Sequence, residues 1–141
     1  MRIFTGVLFA MLLLPVAALA EGLPRTAAPE GAEVYIITPA DGATVGSEVL
    51  VQFGLKGMGV APAGTVAANT GHHHLLIDTG LPALDLPVPA DAQHVHFGKG
   101  QTETTITLSP GKHTLQLLLA DQNHIPHVPA VVSKVVTITV K

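Results

Sequence analysis

Eight histidines are the residues of this chain most able to do chemistry: His72, His73, His74, His94, His96, His113, His124 and His127. Imidazole is the commonest metal-ligand side chain, and it is largely neutral and free to coordinate near neutral pH. Spacing narrows the choice among the eight. Residues two apart on a β-strand share a face. His72 can therefore point with His74, and His94 with His96. Two such pairs, or one pair with His124 or His127, supply the three or four nitrogens that zinc or copper(II) accepts. These six are the candidate ligands. The chain has no cysteine, which excludes thiolate zinc sites and blue-copper sites. Ligand imidazoles must be neutral, so metal affinity is expected to collapse below about pH 6.

The remaining histidines read differently. His73 has the parity of Leu75 and Ile77 and is expected to face the core. His113 follows Pro110-Gly111-Lys112, where PGxY sandwiches keep a corner tyrosine that bonds back to the backbone. Met58, between Gly57 and Gly59, is either a soft sulfur ligand or packing. Asp121, Asn123 and Glu103 could hold imidazoles in the right tautomer, and Asp121 is equally suited to a turn. Gly98 and Gly100 lack the strand-loop-helix context of a phosphate loop.

These side chains need a scaffold, and the chain supplies one after a leader. Arg2, the apolar run Ile3–Ala17 and Ala18-Leu19-Ala20 match a secretory signal peptide over 1–20. The run is shorter than the ~20 residues of a spanning helix. Residues 21–31 read as a flexible tether rich in Pro, Ala and Gly. Residues 32–141 read as one domain, long enough to bury a core. Seven basic against ten acidic residues give a net charge of −3. That disfavours nucleic acid and anionic membranes as partners.

The domain reads as short strands with turn punctuation: Glu33–Thr38, Glu48–Leu55, His72–Thr79, Thr102–Leu108, His113–Ala120 and Ser133–Val140. Val49, Val51, Phe53 and Leu55 share one face, as do Leu115, Leu117 and Leu119. Leu81–Asp91 is irregular. No segment carries a helical apolar period with caps. Six or seven strands at this spacing predict an all-β sandwich or barrel.

The segment "LSPGKHTLQLLLAD" resembles the E–F corner of an immunoglobulin-like sandwich, and "VYIITPADGATVGSEVLVQFGL" resembles its A and B strands. On that resemblance, seven of the eight histidines would meet at one pole, with His113 at the other. More specifically, "NTGHHHLLID" from Asn69, "HFGKGQTET" from His96 and "PGKHTLQLLLAD..H.PH" from Pro110 resemble a family of short exported bacterial proteins. Their shared domain is one of unknown function. The resemblance covers nearly the whole mature chain and implies export and a β-sandwich. It implies no activity.

Function rests on the residues. The leading expectation is a periplasmic or secreted copper- or zinc-binding carrier or buffer. The alternative is an envelope interaction or structural module whose histidines form a hydrogen-bond network, possessing another envelope protein as partner. An enzyme is disfavoured: there is no GxSxG elbow, no HExxH helix and no cysteine nucleophile. Only Ser47, Ser109 and Ser133 are present, none beside a histidine base in sequence.

Overall fold

The computed structural model describes residues 23–141; the leader read over 1–20 lies outside them. Nine strands form two sheets. Strands β1 (Glu33–Thr38), β3 (Glu48–Lys56) and β7 (Glu103–Thr107) make the smaller sheet, in the order β1-β3-β7. The larger sheet runs β2 (Thr44–Val45), β9 (Val136–Val140), β8 (Gly111–Ala120), β5 (Thr70–Ile77) and β4 (Gly59–Val60), with β6 (His94–His96) also on β5. Strands β1, β3 and β7 thus face β5, β8 and β9, which is the immunoglobulin-like arrangement. The all-β sandwich expected from the sequence is what the chain forms. Among the described residues no helix is long and apolar enough to cross a membrane.

Period-two patterning places the core. Val49, Val51 and Phe53 of β3 meet Leu115, Leu117 and Leu119 of β8 between the sheets, all nearly fully buried. Burying each such side chain stabilises the fold by roughly 2 kcal/mol. Leu50, on the other face of β3, is exposed. Strand β8 departs from the expected alternation because both its faces are covered. Leu118 and Ala120 pack with Leu76 and Val88 in a second apolar cluster outside the sandwich. Val88 comes from the irregular 81–91 stretch, which lies over the larger sheet there, held in part by the Val88 N–H to His124 carbonyl bond (2.8 Å).

Hydrogen bonding and packing fix three local points. The last strand begins at Val136 rather than Ser133, because the Ser133 hydroxyl accepts the Leu117 N–H (2.8 Å) and takes the place of a ladder carbonyl. Part of the stretch read as a tether is bonded to the domain. Its residues Ala28 and Thr26 exchange backbone bonds with Val128 (both 2.9 Å). Met58 packs against the inter-sheet core, so it fills space and offers no sulfur to the histidines outside.

The E–F corner holds His113 as expected. Its Nε2–H donates to the Ser109 carbonyl (2.7 Å), and its Nδ1 meets the Asp78 carboxylate (2.6 Å). Both partners accept, so both ring nitrogens carry hydrogen. The Asp78 bond, then the Ser109 bond, raise the His113 pKa above its ordinary value.

Candidate metal centre

Strand β5 sorts its three histidines by parity. His73 turns inward, fully buried, its ring 5.1 Å from that of Phe53. Burial pushes its pKa down to about 4. His72 and His74 turn outward, onto the face that carries Leu76, Leu118 and Ala120. The register sets His72 opposite Ala120 and His74 opposite Leu118 on β8. On the other edge of β5, β6 runs antiparallel and sets His96 opposite His74. The loop after β8 then brings in His124.

These four rings form one cluster. Ring centroids are separated by 4.8 Å for His72–His74, 5.0 Å for His72–His96 and 5.1 Å for His74–His96. His124 lies 5.0 Å from His72, 4.7 Å from His96 and 6.1 Å from His74. One nitrogen from each of His72, His74 and His96 lies within 4.8 Å of the other two. Nitrogens around a tetrahedral zinc are roughly 3.3 Å apart, from bonds of about 2.05 Å. Ring rotations of about an ångström would close that gap.

The interior of the cluster is dry and the outer side is open. His72 and His74 are each 1% exposed, while His96 is exposed as a residue and His124 is half-buried. Both nitrogens of His72 and Nδ1 of His74 are buried without a hydrogen-bond partner among the described residues. Burial, then the neighbouring His124 and His96, lower the His72 pKa to about 4. Burial, then His72 and His96, lower that of His74 to about 3. His96 is lowered in the same way, first by burial and then by His124. Packing keeps these rings neutral, the form in which imidazole binds a metal.

The structure does not bring all six candidate ligands together. His94 shares the outer face with His96 but lies opposite Leu76, one full pleat repeat further along. Its Nδ1 meets Asp91 Oδ1 (2.8 Å), an exposed partner within its own turn. His127 is fully buried and its Nε2–H donates to the Thr70 carbonyl (3.2 Å), away from the four. The meeting place also differs from the expected pole. It is the outer face of the larger sheet, because alternation sends His72 and His74 to the side opposite the core. Glu103 is bonded to Gln52 (2.9 Å) on the other sheet. Asp121 serves as the turn residue: its Oδ1 accepts the N–H groups of Asn123 and Ile125 (2.8 and 3.1 Å).

A glycine missed as a functional residue, Gly98, makes room for the cluster. A β-carbon on Gly98 would sit 2.3 Å from His96 Cε1 and 2.7 Å from Nε2. The signal for Gly98 was its place two residues after a histidine. The Gly98 contact is with the end of a side chain, so Gly98→Ala should move the His96 ring at little cost to the fold. Were the cluster to hold zinc, calorimetry on this variant should read an affinity about tenfold lower, the lower end of effects from groups that orient ligands. Thermal stability should barely change.

Residues 51–141 match the family model described as a domain of unknown function, DUF4399. The match spans more than half of the chain, and the chain belongs to that family. A search of curated proteins and a search of solved structures find no match.

Proposed function

We propose that this member of the DUF4399 family binds one zinc or copper(II) ion through His72, His74, His96 and His124, as an exported carrier or buffer of the metal. The observation that carries the reading is that one nitrogen from each of His72, His74 and His96 lies within 4.8 Å of the other two, while both nitrogens of His72 and Nδ1 of His74 are buried without a hydrogen-bond partner among the described residues. An unpartnered buried polar group costs about 1–3 kcal/mol, and coordination would turn that cost into binding. A hydrogen-bonded histidine network, the other reading, needs ring N–H bonds that His72 does not make. The ligand set suits the ions named: nitrogen donors only, three or four in number, with no thiolate or carboxylate. Two buried rings and two at the surface also leave a route by which an ion could enter and leave.

The burial of the site changes the expected pH range. Exposed histidines near their ordinary value of 6.5 would release metal by about pH 5.5. His72 and His74, at about 4 and about 3, are still neutral there. Calorimetric titration of the untagged protein with Zn(II) and Cu(II) at pH 7.5 and pH 5.5 tests the reading. We expect one ion per chain, bound below micromolar at pH 7.5 and retained at pH 5.5. Binding no tighter than millimolar for both ions at pH 7.5 would refute it.

A further inference from the structure

The stretch Arg25–Ala28 is bonded to a single loop, residues 121–128, and that loop carries His124. The Thr26 hydroxyl donates to Asp121 Oδ2 (2.7 Å). The other oxygen of the same carboxylate gathers the N–H groups of Asn123 and Ile125, the two residues flanking His124. Arg25 Nη2 donates to the His127 carbonyl (3.0 Å). Ala27 and Val128 form a parallel bridge, with Thr26 and Ala28 supplying its backbone bonds. His124 itself has φ 66°, the left-handed region that side chains other than glycine rarely adopt. Such a conformation persists where its surroundings over-determine it. Here the His124 N–H donates to the Asp121 carbonyl (2.9 Å) and its own carbonyl accepts the Val88 N–H (2.8 Å).

From these contacts we infer that Arg25–Ala28 is a strap that positions His124 over His72, His74 and His96, with Thr26 the positioning residue acting through Asp121. The consequence for metal affinity rests on the metal reading above; the hold on the loop does not. One carboxylate joins the strap to the turn, so loss of the Thr26 donor should loosen the fourth ring and leave the other three in place.

Thr26→Val removes the hydroxyl and keeps the shape, while Thr26→Ser keeps the hydroxyl. In metal-free protein, hydrogen exchange at the Asn123, His124 and Ile125 amides should be about tenfold faster in T26V and near the unsubstituted rate in T26S. Exchange at Leu117 and Leu119 in the core should not change. Zinc affinity should fall about tenfold in T26V. It should fall no further when T26V is added to H124A. Unchanged exchange in T26V overturns the strap, as does an equal loss of affinity with and without His124. Faster exchange in a protein that binds no zinc would sustain the strap and refute the metal reading.

Discussion

Replacing His72 or His74 with alanine should weaken zinc binding by at least about a hundredfold. Structural zinc sites with four ligands, as in zinc-finger peptides, gather roughly 10–16 kcal/mol, which sets the scale for a four-histidine site. One ligand therefore carries about 3 kcal/mol, which is about two decades in affinity. The same change at His94 or His127 should leave affinity within about twofold, since His94 is turned to Asp91 and His127 to the Thr70 carbonyl. Calorimetry across the four variants reads the contrast directly. A uniform small loss at all four positions would mean diffuse binding by surface histidines. Stability should move the other way for a packed replacement. His72→Phe removes two buried unpartnered nitrogens, so the metal-free variant should unfold at higher urea than the unsubstituted protein. A site that costs stability when empty is expected where function fixed the residues.

The metal-free protein should lose stability steeply in mild acid. Burial holds His72, His73 and His74 at about 4, about 4 and about 3, against an ordinary value of 6.5. The unfolded chain therefore takes up protons first. The contribution of these groups is fully present above about pH 6.5 and is lost as pH falls through the folded-state values. Each histidine contributes a slope of about 1.4 kcal/mol per pH unit, so the three together give about 4 kcal/mol per unit between about pH 6 and pH 4. Against a typical total of about 5–15 kcal/mol, that slope should unfold the empty domain near pH 5 or below. His113 runs in the opposite sense. Its raised pKa gives a contribution that is full below the ordinary value and lost as pH rises through the folded value. Urea unfolding at pH 7.5, 6.0, 5.0 and 4.0 measures the balance. A flat profile between pH 6 and pH 5 would contradict the buried, neutral state of the three rings. Saturating zinc should delay the loss, because a ligand of the folded state stabilises it by mass action.

Local periodicity made the scaffold legible. Alternation in Glu48–Lys56 and Gly111–Ala120 gave the inward faces, and it assigned His73 to the core and His72 with His74 to the opposite side. The Pro-Gly turn before His113 placed the corner. Long-range packing was not legible in the same way. The continuous apolar run Leu117–Ala120 is the local sign of a strand covered on both faces, but it does not say what supplies the cover. The second face depends on Val88, which arrives from an irregular stretch more than twenty residues away. His94 and His96 have the same parity, so spacing alone treated them as a pair. The distinction came from register, which set His96 against His74 and His94 against Leu76. The docking of Arg25–Ala28 was hidden for a similar reason. Its bonds are mostly backbone bonds to a distant loop, and composition alone reads such a stretch as free.

The proposed site holds one ion among four imidazoles on the outer face of the larger sheet. X-ray absorption at the zinc edge, on protein loaded with one equivalent, tests it most directly. The expected spectrum shows a shell of three or four nitrogens at about 2.0–2.1 Å with the outer scattering of imidazole rings, reduced by one ring in H124A. A shell dominated by oxygen, or one unchanged by loss of His72 and His74 together, would contradict it.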